Sequence, residues 1–305
     1  IRLLQKNIIE LNNLHSAFIK KANEFKDVLK MGRTEMQDAV PVSFGQVFNS
    51  FASAIYRDIT RFEEAIKVMS VLNMGGTAIG TGINADKEYI KIIVPRLSKI
   101  TNLPLIQSED LIDATQNLDS FIFVSSVLKA CASNLSKIAN DLRLMSSGPR
   151  AGFNEINLPP KQNGSSIMPG KINPVIPEVV SQIAFNIIGN DTTITLAVES
   201  GQLELNPFEP IIFYCLFESL ETLCNGVKTF TQNCIEGITI NEEKCKNDIE
   251  RNIGIVTSLC PYIGYKESAR IAKKALKENK TIREILEEEK IINDIDNKLN
   301  PKNMI

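Results

Sequence analysis

IRLLQKNIIELNNLHSAFIKKANEFKDVLK, residues 1–30, places apolar side chains at Leu4, Ile8, Leu11, Leu14, Phe18, Ala22, Phe25 and Val28. Steps of three and four put all of them on one stripe, which predicts a helix of about eight turns. The mean helix of a globular protein has about 11–12 residues, so this one is long. The same period returns from roughly Ser43 to Leu72, near Lys87, and through Leu118–Met145. It recurs from Pro177 through Val180, Ile183, Ala184, Ile187 and Ile188, and then from Pro207 and Pro210 to about Cys234. Few stretches alternate with period two. The expectation is an all-α fold, an extended long-helix bundle without a substantial sheet, whose exposed apolar stripes call for partner subunits.

After Gly237 the helical segments shorten and charges accumulate, as in KKALKENKTIREILEEEK. That run reads as a solvated helix face. The expected division is a central helical bundle domain over 1–236, and a small helical C-terminal domain over 237–305.

Composition narrows the function classes. The 305 residues are 43% hydrophobic and 23% charged, the balance of a globular protein. A net charge of -2 gives no whole-chain footprint for nucleic acid. The six cysteines form no CxxC pair, and His15 is the only histidine, so a His-containing zinc site is not expected and no metal-ligating residues are assigned. Free thiols in a reducing compartment are the simpler reading. The start lacks the apolar core and cleavage site of a signal peptide, and no apolar run reaches the ~18 residues of a bilayer span. A cytoplasmic location without membrane contact follows as the expectation.

Three segments carry candidate chemistry. NMGGTAIGTGIN (73–84) contains Gly80-Thr81-Gly82, but Ala85 breaks the GxGxxG pattern and no strand is predicted before it. It reads as a connection between long helices. GSSIMPGK (164–171) imitates a phosphate-binding loop, yet five residues separate Gly164 from Gly170, and Ile172 replaces the metal-binding hydroxyl. On its own terms the loop offers Ser165 and Ser166, the cation of Lys171, and the donor and acceptor of Asn173. A serine can act as nucleophile or, once ionised, as base, provided local cations and N–H groups stabilise the oxyanion. On these residues alone the segment is either a carboxylate-binding loop or a flexible connector with a surface lysine. GRTEMQDAVP (32–41) places Arg33, Thr34, Glu35, Gln37 and Asp38 at a helix break, where capping by Thr34 or Asp38 is an equally open reading.

Together these segments resemble the aspartase/fumarase superfamily, whose signature loop GSSIMPGKINP matches without a gap. The resemblance continues in family order through GRTEMQDAVP, NMGGTAIGTGIN, IANDLRLMSSGPRAGFNEINLP, FNIIGND and GQLELNPFEP. Within the superfamily, PVIPEVVSQIAFNIIGNDTTITLA and GQLELN are closer to the ammonia-lyases acting on aspartate than to the fumarate hydratases. The resemblance implies anti-elimination of ammonia from L-aspartate to give fumarate, without an organic cofactor, in a homotetramer with shared active sites. It implies Ser165 as general base and Lys171 and Asn173 as carboxylate ligands, with Ser166 and Thr34 also touching substrate. Glu35 stands where many members have His and some have Gln, and Glu178 matches the glutamate that this His faces. It further implies that the family's N-terminal region, with two more substrate-binding loops, precedes the matched segments and is not among these residues.

Overall fold

A computed structural model describes residues 1–162 and 164–304. The chain falls into two compact units. Unit 1 gathers Ile1–Ser16, Ala52–Leu142 and Pro160–Ile235; unit 2 gathers Ala17–Phe51, Arg143–Pro159 and Glu236–Ile305. In chain order the elements are α1 (Arg2–Glu24), β1 (Leu29–Thr34), β2 (Gln37–Ser43), α2 (Phe44–Val68), β3 (Val71–Leu72) and α3 (Lys87–Thr101). There follow β4 (Ile106–Gln107), α4 (Asp113–Gln116), α5 (Asp119–Met145), β5 (Ile156–Asn157), α6 (Val175–Glu199) and α7 (Glu209–Asn233). The last are β6 (Thr239–Ile240), α8 (Glu242–Arg251), α9 (Cys260–Glu278), α10 (Ile282–Glu289) and α11 (Ile295–Lys298).

The long helices predicted from periodicity are present, and the fold is all-α. Three local expectations change. The first helix stops at Glu24, leaving Phe25 and Val28 beyond it. The segment read as a break with capping is a β-hairpin, β1 pairing antiparallel with β2. Its alternation is hard to read because the register slips between Met31 and Arg33. Gly32 permits that slip, since a Cβ there would lie 2.6 Å from the Val40 carbonyl oxygen. Finally, the two-residue strand β3 does precede the 73–84 loop, paired in parallel with β4.

In unit 1, α6 and α7 pack along their lengths. Ala132 and Leu135 of α5 share a small crevice with Val180, Ile183 and Ala184 of α6 and with Leu223, Gly226 and Val227 of α7. A Cβ at Gly226 would stand 2.7 Å from Ile183 Cδ1, so this glycine lets the helices meet closely. Burying each Leu or Ile of such a core stabilises it by ~1.5–3 kcal/mol. By length and composition α5 is apolar enough to cross a membrane, contrary to the expectation that no such stretch exists. Its Leu128, Cys131, Ala132, Leu135 and Ile138 are buried in the protein core instead. On α6 and α7, Phe185, Leu196, Tyr214 and Phe217 are exposed.

Unit 2 is organised around a core of Met31 from β1, Ile249 from α8, Ile255 and Leu259, Ile271 from α9, and Ile285 and Leu286 from α10. Thr281 and Glu284 form a capping box that starts α10, satisfying amides that the first helical turn leaves free. The segment 236–305 therefore shares its core with the hairpin rather than closing on itself.

Candidate active site

Residues 164–173 form a loop closed at its neck. The Asn173 side-chain amide donates to the Gly164 carbonyl oxygen at 3.2 Å. Gly164 is required there, because a Cβ would come within 1.7 Å of the Lys171 carbonyl oxygen. The Lys171 amide donates to the Met168 carbonyl at 3.2 Å, tightening the far side of the loop. At Gly170 the backbone takes φ +83°, with nothing within 4 Å of the Cβ position. The tip is open: Ile167 is 85% exposed, and Met168 and Ile172 are exposed as well.

Ser165 is half-buried at the start of this loop. Its Oγ accepts hydrogen bonds from the backbone N–H groups of Ile167 at 3.3 Å and Met168 at 3.1 Å. Two donors aimed at one hydroxyl oxygen favour that oxygen when it carries negative charge. Those amides therefore serve Ser165 itself. Ser166 and Lys171 are exposed. The Lys171 ammonium makes no ion pair among the described residues. One N–H of Asn173 is committed to the loop neck, leaving the other N–H and Oδ1 for a ligand. The loop leads into α6, whose first turn holds the half-buried Glu178. An acidic side chain is favoured at that end by the helix dipole.

Thr34 and Glu35 belong to unit 2, whereas Ser165, Ser166, Lys171, Asn173 and Glu178 belong to unit 1. Thr34 pairs with Gln37 to close the hairpin, and the two residues between them are Glu35 at φ 51° and Met36 at φ 64°. A two-residue hairpin turn of the primed type needs φ > 0 at both positions, which Asn-Gly satisfies without strain. Here two bulky side chains accept it, at roughly 1–2 kcal/mol each. Glu35 is exposed at the turn.

Sequence reading missed what fixes this hairpin. Glu155 is buried and lies between two cations of β1. Arg33 Nη1 donates to Glu155 Oε1 at 2.5 Å, while Lys30 Nζ stands 3.1 Å from Oε2 as an ion pair without hydrogen-bond alignment. The Arg33 guanidinium also stacks on Phe153, 4.2 Å from the ring centroid. Burial, and then the charge of Glu155, push the Cys245 thiol up to about 12. The arginine of GRT was a visible signal; its partner, 122 residues away, was not.

A long-helix bundle carrying a serine-bearing loop that leads into α6 defines the class. The chain belongs to the lyase family, whose description matches residues 2–189, and the description "Fumarase C C-terminus" matches residues 255–305. Among curated relatives it is 48% identical over 306 aligned residues to the aspartate ammonia-lyase of Bacillus subtilis, covering 100% of this chain and 64% of that one. It is 51% identical over 301 residues to the aspartate ammonia-lyase of Pseudomonas aeruginosa, covering 98% of this chain and again 64% of the relative. Among solved structures, a fumarate lyase:delta crystallin from Brucella melitensis bound to cobalt superposes with TM-score 0.96 at 43% identity, over 99% of this chain and 66% of that one. A class II fumarase from Schistosoma mansoni gives TM-score 0.95 at 31% identity, over 99% and 67%. The chain thus spans a little under two thirds of the curated relatives that it matches.

Proposed function

We propose that this chain is part of an aspartate ammonia-lyase, catalysing the reversible anti-elimination of ammonia from L-aspartate to give fumarate. The observation that carries the mechanism is the pair of backbone N–H groups held on Ser165 Oγ. The Cβ proton of aspartate lies beside a carboxylate, so removing it creates a doubly charged enediolate. An alkoxide stabilised by two amides supplies the base. Lys171, Ser166 and the uncommitted N–H of Asn173 receive the carboxylate that takes up the charge. Thr34 binds substrate from the hairpin, and Glu35 attracts the α-ammonium group; Glu178 supports the loop from the first turn of α6. No organic cofactor or metal enters this scheme.

Identities of 48–51% to aspartate ammonia-lyases against 31% to a fumarase support aspartate over malate as substrate. The exposed Phe185, Leu196, Tyr214 and Phe217 on the long helices support a homotetramer with shared sites. The six free cysteines suit a reducing cytoplasm.

The test follows fumarate absorbance with L-aspartate and with L-malate. It uses the chain alone, and the chain supplemented with the portion of a curated relative that lies outside the match. Fumarate from aspartate in either form supports the reading. Turnover of malate alone assigns a fumarate hydratase, and intact tetramers inert to both substrates assign a helical assembly element. Aspartate turnover unchanged in Glu35→Ala sinks the role given to Glu35.

A further inference from the structure

Within unit 2, a cavity of about 320 Å³ opens beside β1 and α8, lined by Arg33, Asp38, Lys244, Asp248, Arg251 and Asn252 among others. Its size lies at the small end of ligand pockets, enough for a compact ion and little more. Three cations and two carboxylates line it, leaving one positive charge in excess. The pairs within it are uneven. Lys244 is bonded to Asp248 one turn along α8, and Arg33 is held by Glu155, with Asp38 3.7 Å away. Arg251, the last residue of α8, is exposed and makes no ion pair or hydrogen bond among the described residues.

Asn252 supplies a second, independent observation. It is only 7% exposed, and its Oδ1 accepts from the Gly254 N–H at 2.6 Å. Its Nδ2 has no hydrogen-bond partner among the described residues. That donor reaches solvent-accessible space at the cavity wall, where an acceptor entering the cavity can pair with it. The carbonyl end of α8 works against an anion, and the surplus cation has to outweigh it. Arg251 stands at that end and presents a planar fork of donors, the geometry that pairs with carboxylate and phosphate oxygens.

We propose that this cavity is a second ligand site, for a small oxyanion bearing carboxylate or phosphate oxygens, with Arg251 as its ion-pair partner and Asn252 Nδ2 as its neutral donor. Lys244 adds positive charge at the rim. The site belongs to unit 2 and uses none of the residues on the serine loop. Arg33 and Thr34 are neighbours on β1, where successive side chains leave on opposite faces. An occupant drawing on Arg33 acts one residue from the substrate-binding position. That influence on turnover rests on the role proposed for Thr34; binding itself does not.

Calorimetric titration of inorganic phosphate, and separately of malonate, at constant ionic strength tests the site in the 305-residue chain. The chain and its Ser165→Ala variant are expected to bind one equivalent with equal affinity. Arg251→Gln is expected to weaken binding by about tenfold or more, the loss of one charge-assisted contact. Lys244→Gln, which removes the positive charge at the rim together with its ion pair on the α8 surface, gives a smaller loss and a second variant should Arg251→Gln unfold. Tighter binding of phosphate identifies phosphate oxygens as the natural ligand chemistry, and tighter binding of malonate identifies carboxylates. The proposal is overturned if neither probe binds saturably, or if Arg251→Gln and Lys244→Gln bind as the parent does. It is equally overturned if binding disappears in Ser165→Ala while Arg251→Gln is unaffected, which places the ion at the serine loop.

Discussion

The serine loop 164–173 and the hairpin 29–43 both carry candidate substrate ligands, and they are held in opposite ways. The loop is held by its own backbone and Asn173, with an apolar tip left in solvent. The hairpin is fixed from beneath by a buried carboxylate shared between Lys30 and Arg33, and Met31 enters the core of unit 2. The contrast suits the chemistry proposed for each. A base that must reach a proton and then withdraw belongs on a loop whose contacts are local. A residue that orients substrate belongs on an element whose position is over-determined.

Four substitutions can break or sharpen that contrast. The largest effect is expected from Ser165→Ala, which removes the proposed base and should lower the proposed deamination by about 10²–10⁴-fold, read as fumarate absorbance, with thermal unfolding unchanged. A matching loss of stability would make Ser165 a loop-closing residue instead. Glu155→Gln should act the other way round. It strands the buried Lys30 and the half-buried Arg33 and should cost ~3–5 kcal/mol in urea unfolding. An unaltered urea midpoint would show that the hairpin is anchored by apolar packing alone.

Gly164→Ala comes next. Its Cβ cannot coexist with the Lys171 carbonyl oxygen 1.7 Å away, so the neck must open. Displacing the loop by about 1 Å should lower turnover on the order of 10²-fold with little change in stability. Retained turnover would show that the neck does not position Ser165. The smallest effect is expected from Met36→Gly, which relieves a left-handed residue at the hairpin turn and should stabilise unit 2 by about 1 kcal/mol. A loss of stability there would mean that the Met36 side chain contributes more than its backbone costs.

Cys245 gives a pH probe of the hairpin anchor, since its thiol lies against the Glu155 carbonyl oxygen. Its folded pKa is raised to about 12 from an ordinary value of 9.0, first by burial and then by Glu155. The folded state therefore keeps a proton that the unfolded chain releases, so this stability is full below pH 9 and is lost as pH rises toward 12. Urea midpoints at pH 8 and pH 10 should differ less in Cys245→Ala than in the parent. Equal differences would show that the thiol is not shielded.

The helices α1, α2, α5, α6 and α7 were legible because a 3.6-residue period is written in neighbouring residues, and burial of the Leu4–Leu11–Leu14–Phe18 stripe follows from it. The serine loop was equally legible, since its neck, glycines and hydroxyls lie within ten residues. The hairpin was not. A bulge at Gly32 disrupts its alternation, Pro41 interrupts its second strand, and its turn places Glu and Met where Asn and Gly are usual. No local pattern could report that Ser165 Oγ would collect two amides, or that Glu155 would be buried between Lys30 and Arg33.

Sequence by itself therefore determined the helical architecture, the family and the identity of the residues on the serine loop. Tertiary structure alone decided which side chains are already committed. Asn173 spends one N–H on the loop neck, Arg33 spends its charge on Glu155, and among the described residues the Arg251 guanidinium and the Asn252 Nδ2 remain unpaired beside a cavity. Helical periodicity is a property of residues a few positions apart. Whether a charge is paired depends on groups up to 122 positions away, and only folding brings them within 3 Å.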